Sequence, residues 1–439
     1  MQETANSTET ARRESATRGI AGHVTATIEA AFGIGLPVAV RAWDGSVSGP
    51  SGEPTVVIRS PRAIRYLLWR PGELGLARAY VMGEIDIDGD FRRGFQLCRE
   101  FTRRVRDRGL PRPTSWPAVL ALFLRLGAVG PPPVVPGEEA RLRGRPNSPG
   151  RDRAAIAHHY DLGNDFYAML LDPAMVYSSG YWTSEAADYR LADAQRDKLD
   201  LVCRELRLRK GMRLLDLGCG WGSLILHAAE NYGVHATGVT ISARQEEFIR
   251  ARVADRGLHD LVDVRLQDYR EVTGTNFDAV ASIEMGEHVG ERNYPVYCAT
   301  LRGLLRPGGR LLLQQMSRGA VSPGGGAFIE SYIAADMTMR PLASTLGYLE
   351  TAGLEVQRVR AMREHYRLTI DAWSHRLDDV WDEMVHRFGA RRARIWRLYL
   401  IGGGLAFGEN RMSVHQILAT RGDAGAIENP PDIGAGKAP

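Results

Sequence analysis

Residues Leu214 to Gly222 read LLDLGCGWG, and this stretch decides how the chain is organised. The apolar run from Met212 to Leu217 predicts a buried strand, with Asp216 near its end. Gly218, Gly220 and Gly222 then make a tight turn into a helix expected from Gly222 to Tyr232. Without Cβ atoms at that turn, a ligand can lie directly against the backbone. Working outward, strands are expected over His235–Val239, Val262–Leu266, Phe277–Ile283 and Arg310–Gln315, with a helix over Ala243–Arg256. Strands alternating with helices predict an α/β fold, a parallel sheet covered on both faces, with its ligand beyond the carboxyl ends of the strands. No internal repeat is present.

At 439 residues the chain is too long for one ordinary domain. Residues 1–18 are polar and charged and are expected to be a disordered N-terminus without a secretory signal. Residues 19–130 are read as a smaller mixed α/β N-terminal domain, with a strand at Thr55–Ile58 and a helix entered through proline at Pro61–Trp69. The segment 131–150, PPPVVPGEEARLRGRPNSPG, is read as a linker. The domain carrying the glycine turn is placed at 151–420, and 421–439 are read as a disordered tail.

Composition narrows the partners. The chain is 44% hydrophobic and 25% charged, with a net charge of +4, which suits a globular protein and no special polyanion binding. Lys198, Lys210 and Lys437 are the only lysines among 56 basic residues, an arginine excess read as a GC-rich coding bias of the actinobacterial kind. Cys98, Cys203, Cys219 and Cys298 have neither paired nor metal-ligand spacing, which fits a reducing cytoplasm and no metal site. The most apolar run, Ala118–Val129, is too short to span a bilayer and contains Arg125. Any contact with lipid would therefore be made from the surface.

A bare G-x-G also fits a structural turn or a dinucleotide loop. The full string D-L-G-C-G-W-G resembles the S-adenosylmethionine (SAM) loop of class I methyltransferases and lacks the spacing of G-x-G-x-x-G. Two later strand ends agree in order and spacing. Thr240-Ile241-Ser242 with Gln245 offers hydrogen bonds to a ribose, where many methyltransferases place an acid instead. In Gln267-Asp268-Tyr269 a carboxylate can accept an adenine amino group and an aromatic can pack on the ring.

Three further segments carry a family resemblance: HHYDLGNDF (158–166), YSSGYW (177–182) and SIEMGEHVGERNY (282–294). In this order around the glycine loop, from about Ala154 to Gln416, they resemble the cyclopropane fatty acid synthase and mycolic acid methyltransferase family. PGELGLARAYVMGEIDIDGD (71–90) extends the likeness to its longer, phospholipid-acting members. The resemblance implies a class I (Rossmann-like) SAM-methyltransferase that methylates a cis double bond of an unsaturated phospholipid acyl chain, with bicarbonate as the base.

By motif position, Tyr177 and Ser178 join Asp216, Gly218, Gly220, Gly222, Thr240, Gln245, Asp268 and Tyr269 at the cofactor. Glu287 and Tyr366 match bicarbonate-holding residues. A carboxylate beside bicarbonate strengthens it as a proton acceptor, and a phenol orients it. Tyr181, Trp182 and Tyr269 offer aromatic faces to a cation.

The chain departs from the pattern where many members have a bicarbonate-binding histidine (here Gln314) and cysteines (here Ser179 and Gly403). A glutamine amide donates a hydrogen bond but cannot relay a proton. Glu284 adds an acid three residues before Glu287, either a second active-site carboxylate or an exposed one. His158, His159 and His288 are read as packing or hydrogen-bonding groups.

The altered base site favours a methylene-branched product (10-methylene stearoyl type), passed on to a reductase; a cyclopropane is the alternative. Two rival readings belong to other classes: a methyltransferase for polar molecules or nucleic acid, and a non-catalytic lipid-binding relative. No Asn-Pro-Pro-Tyr-like motif or dense basic patch supports the first. The intact glycine loop and Glu287 oppose the second. The expected location is cytoplasmic, peripheral on the inner face of the cell membrane. Self-association and a stable reductase partner are left open.

Overall fold

The computed structural model describes residues 19–109, 121, 124, 126–160, 162–274, 276–320 and 325–422. Residues 1–18, half of Ala118–Val129 and residues 423–439 lie outside these residues, as do the side chains of His158 and His159, while Arg421, expected in a disordered tail, ends the strand Met412–Arg421. The chain forms two compact units. One comprises residues up to Ala140 with Gly326–Ile333 and Trp381–Ile401; the other comprises Arg141–Gly325, Ala334–Val380 and Gly402 onward. The stretch 151–420, expected as one uninterrupted domain, is thus cut twice by helical segments that pack with the first unit.

The first unit has strands β1 (Ala39–Arg41), β2 (Val47–Ser48), β3 (Thr55–Ile58) and β4 (Ile85–Asp88), in the order β2-β1-β3-β4. Helix Arg62–Trp69 begins directly after Pro61, whose fixed φ suits a helix start. Ala63 and Ile64 on its inner face join Ala21, Val24, Val40 and Ile58 in a small core. Residues 131–140 are not a free linker. Arg78 grips Glu139 through two hydrogen bonds of 2.7 and 2.9 Å, and the Tyr66 hydroxyl donates to the Val134 carbonyl at 2.6 Å.

The second unit has β5 (Arg213–Leu217), β6 (His235–Thr240), β7 (Val262–Leu266), β8 (Phe277–Ile283), β9 (Leu305–Arg318), β10 (Leu354–Ala361) and β11 (Met412–Arg421). Their order is β10-β11-β9-β8-β5-β6-β7. The five strands β5 to β9 pair in parallel, while β11 runs antiparallel to both its neighbours. Strand order reverses at β5, so the crevice beyond β5 and β8 is the natural ligand site of such a sheet.

Leu214, Leu215 and Leu217 of β5 are wholly buried, the alternate side chains entering the cores on the two faces of the sheet. Truncating one to alanine would cost about 2–5 kcal/mol. Register also lines up three positions across the sheet. Ile283 of β8 faces Gln314 of β9, and Gln314 faces Gln416 of β11.

Candidate active site

The cleft beyond β5 has about 1130 Å³ of unfilled space, part of it open solvent, and every residue lining it belongs to the second unit. Gly218, Gly220 and Gly222 all adopt positive φ (85°, 52° and 79°), which favours glycine. Their roles differ. A Cβ on Gly218 would meet Met285 at 2.7 Å and one on Gly222 would meet Ile249 at 2.8 Å, so these two permit close packing. A Cβ on Gly220 would meet no protein atom within 4 Å and would project into open space.

Around that space stand polar atoms without partners. Asp216 Oδ1 and Gln245 Nε2 are buried and make no hydrogen bond. Burial pushes the Asp216 carboxyl up to about 7, against the pull of Lys198. Thr240 Oγ1 donates to Gln245 Oε1 at 2.7 Å, which leaves the amide NH₂ for a ligand acceptor. Asp268 is already held, with Oδ1 capping the Arg270 backbone and Oδ2 accepting from the Arg270 guanidinium at 2.9 Å. Tyr177, Ser178 and Tyr269 also line the cleft. A glycine cradle with unsatisfied buried donor and acceptor fits SAM, which supplies an electrophilic methyl group on a sulfonium centre.

The other end of the cleft is built on Glu284. It follows β8 with φ of 52°, a left-handed conformation costing a non-glycine residue roughly 1–2 kcal/mol. This turn brings its half-buried carboxylate to the cleft. Three donors hold it: Ser179 N at 2.9 Å and Gln314 Nε2 at 2.8 Å to Oε1, and the Tyr366 hydroxyl at 2.7 Å to Oε2. Loss of hydration raises the Glu284 pKa, and the three donors oppose that rise. Three expected site residues therefore converge, Ser179 through its backbone, on the acid whose role the sequence left open.

Glu287, expected beside the base, stands behind it. It is wholly buried and does not line the cleft; its Oε1 accepts from Met316 N, while Oε2 makes no hydrogen bond. Burial, then the charge of Glu284, pushes its pKa up to about 8, so the group is neutral at pH 7. Folding therefore takes up a proton at Glu287 between its ordinary value of 4.5 and about 8. Wild-type stability falls as pH rises through that window, and a glutamine there escapes the loss. In thermal melts, the advantage of Glu287→Gln should grow from pH 5 to pH 8 by several degrees, then level off. A gap independent of pH would mean that Glu287 is not held neutral.

Tyr181 and Trp182 do not line the cleft. Tyr181 packs on His365 and Trp182 Nε1 donates to Thr369 Oγ1 at 3.1 Å. Half-buried His288 does line it, and burial lowers its pKa to about 4, keeping the imidazole neutral. Gly403 lies 3.7 Å (from an ideal Cβ) from Ile370. Among the described residues, no group of three His, Cys, Asp or Glu side chains could hold a metal.

Sequence reasoning missed three contributors. Lys198 is 2% exposed, lines the cleft and donates to Ser178 Oγ at 3.1 Å. Burial lowers its pKa to about 8, opposed first by Glu284 and then by Asp216. Its signal was a lone lysine on the apolar stripe of helix Leu191–Glu205, in line with Leu191, Gln195 and Val202. Thr369 Oγ1 accepts from Gly180 N at 3.0 Å and so fixes the YSSGYW segment. Gln416 Nε2 donates to Gln314 Oε1 at 2.9 Å, which aims the Gln314 NH₂ at Glu284.

Sheet order, glycine cradle and ligand-ready cleft together define a class I SAM-dependent methyltransferase. A model of the family described as mycolic acid cyclopropane synthetase matches residues 147–417. A probable fatty acid methyltransferase of Mycobacterium tuberculosis is 38% identical over 403 residues, covering 88% of this chain and 92% of that one. The cyclopropane-fatty-acyl-phospholipid synthase of Escherichia coli is 35% identical over 278 residues, 63% of this chain and 70% of its own. The solved mycolic acid cyclopropane synthase CmaA1, complexed with S-adenosylhomocysteine (SAH) and CTAB, superposes with a TM-score of 0.57 at 28% identity, covering 61% of this chain and 98% of that one. The chain belongs to the mycolic acid cyclopropane synthetase family, and it is a SAM-dependent methyltransferase.

Proposed function

We propose that this enzyme transfers a methyl group from SAM to a cis double bond in an unsaturated acyl chain of a phospholipid. The observation that carries the reading is a carboxylate gripped by three donors at the edge of the cofactor cleft. An alkene needs no base to make it nucleophilic, but once methylated it bears a cation that must lose a proton. A fixed carboxylate facing the cleft suits that later step. The names of the two relatives, one a probable fatty acid methyltransferase and one a cyclopropane-fatty-acyl-phospholipid synthase, support the substrate class.

The product we favour is a methylene-branched chain, because the base site departs from the family pattern at Ser179, Gln314 and Glu284. Such a product would pass to a reductase acting on an exocyclic alkene. A cyclopropane is the second reading, favoured by the likeness to the E. coli synthase. The test is turnover of SAM with vesicles of unsaturated phospholipid, followed by proton NMR of the extracted lipid. Olefinic =CH₂ signals mean a methylene, and strongly shielded ring protons mean a cyclopropane. No turnover with any unsaturated lipid would refute the substrate class.

An acyl chain gains little by crossing water from bilayer to protein, so the enzyme should work at the membrane, on its inner face. Among the described residues no helix is long and apolar enough to span it. The first unit offers a surface instead. Trp69 is 55% exposed on helix Arg62–Trp69, and its Nε1 donates to Gly130 O at 3.1 Å; Leu68, Val129 and Val134 are exposed nearby in the chain. The double variant Trp69→Glu, Val134→Asp should lose about tenfold in sedimentation with anionic vesicles. Unchanged binding would place the contact elsewhere.

A further inference from the structure

The resemblance noted in the sequence calls for a bicarbonate ion as base, but the place for it is taken. Tyr366, Gln314 and Ser179 spend their donors on the Glu284 carboxylate, at 2.7, 2.8 and 2.9 Å. A carboxylate and a bicarbonate offer the same planar pair of oxygens and the same single charge. A second anion at these donors would stand against the Glu284 carboxylate, repelled by its charge and competing with it for the same hydrogen bonds. The residues present do not fit the ion.

We propose that Glu284 is itself the catalytic base and that this enzyme works without bicarbonate. Oε1 accepts two hydrogen bonds and Oε2 one, so Oε2 keeps the freer lone pair. A C–H bond of the newly added methyl breaks, and its electron pair forms the third ring bond or, once a hydride from the methyl-bearing carbon has shifted to the neighbouring cation, the exocyclic double bond. The proton passes to Oε2, and neutral Glu284 returns it to water between turnovers. Gln416 and Gln314 act as positioning residues, since their amide chain points an NH₂ at the carboxylate. Glu287 cannot take this part, because it does not line the cleft.

The inference rests on the alkene-methylating reading, so its test has an arm that needs no turnover. In carbon-dioxide-free buffer, wild-type turnover should not change when bicarbonate is added. Glu284→Gln keeps the shape but not the basicity, and should lose about 10³-fold in turnover with SAM affinity unchanged. Glu284→Gly should fold, because φ of 52° suits glycine. It should empty the anion place, lose turnover without bicarbonate and regain it as bicarbonate is added. Carbon-13 NMR should then show labelled bicarbonate binding to the glycine variant and not to the wild type.

A wild-type rate that collapses without bicarbonate, labelled bicarbonate bound to wild type, or Glu284→Gln retaining more than about a tenth of the rate would each overturn the proposal. A wild type that turns over no unsaturated lipid would fail the functional reading instead, and the binding arm would still decide whether Glu284 fills the anion place.

Discussion

Gly220→Val should abolish SAM binding and leave the fold standing. The Cβ at this position meets no protein atom within 4 Å, so no core is disturbed. The new side chain would instead fill the cradle between β5 and the helix Ser223–Tyr232, where the cofactor backbone must come close. The φ of 52° adds local strain for a β-branched residue, of order 1–2 kcal/mol, too little to unfold a domain of this size. Affinity measured by calorimetry should fall at least about 100-fold, while circular dichroism and the melting transition stay cooperative. A folded valine variant binding SAM as tightly as wild type would refute the placement of the cofactor.

Lys198→Met should lower turnover through charge rather than shape. Methionine fills nearly the same buried volume, so the helix Leu191–Glu205 keeps its packing. What disappears is the cation that favours the ionised forms of Glu284 and Asp216. Without it both carboxyl pKa values rise, and the ionised fraction of Glu284 falls about tenfold for each unit by which its pKa comes to exceed the working pH. Turnover should fall most on the acid side of the pH–rate profile, and its rising limb should move to higher pH. Lys198 carries its charge below about 8, so the wild type's advantage should be full below that pH and shrink above it. A limb that stays in place would reduce Lys198 to a packing residue.

The glycine turn and the parallel strands were readable because each rests on local chemistry: apolar runs of strand length, and glycines where only glycine fits. The cofactor end followed from the same signals, since Thr240 ends β6, Gln245 opens the helix after it and Tyr269 follows β7. The base end was not readable in this way. Glu284 and Glu287 are three apart, and a helix would put both on one face. The left-handed turn at Glu284 and the 3-10 turn Gly286–His288 separate them instead, one to the cleft and one behind it. Nor does any local pattern reveal that β8, β9 and β11 lie side by side, which is what lines up Ile283, Gln314 and Gln416. Likewise, the excursions Gly326–Ile333 and Trp381–Ile401 into the first unit depend on long-range packing.

The backbone angle at residue 284 also bears on how such a site could arise. Glutamate and glycine codons differ by a single nucleotide, and the chain at this point already has the shape that glycine prefers. One point mutation could therefore exchange a base carried in the gene for one borrowed from dissolved carbon dioxide, with the three donors and the surrounding sheet left in place. Dependence on an outside ion and independence from it are, at this position, adjacent genotypes.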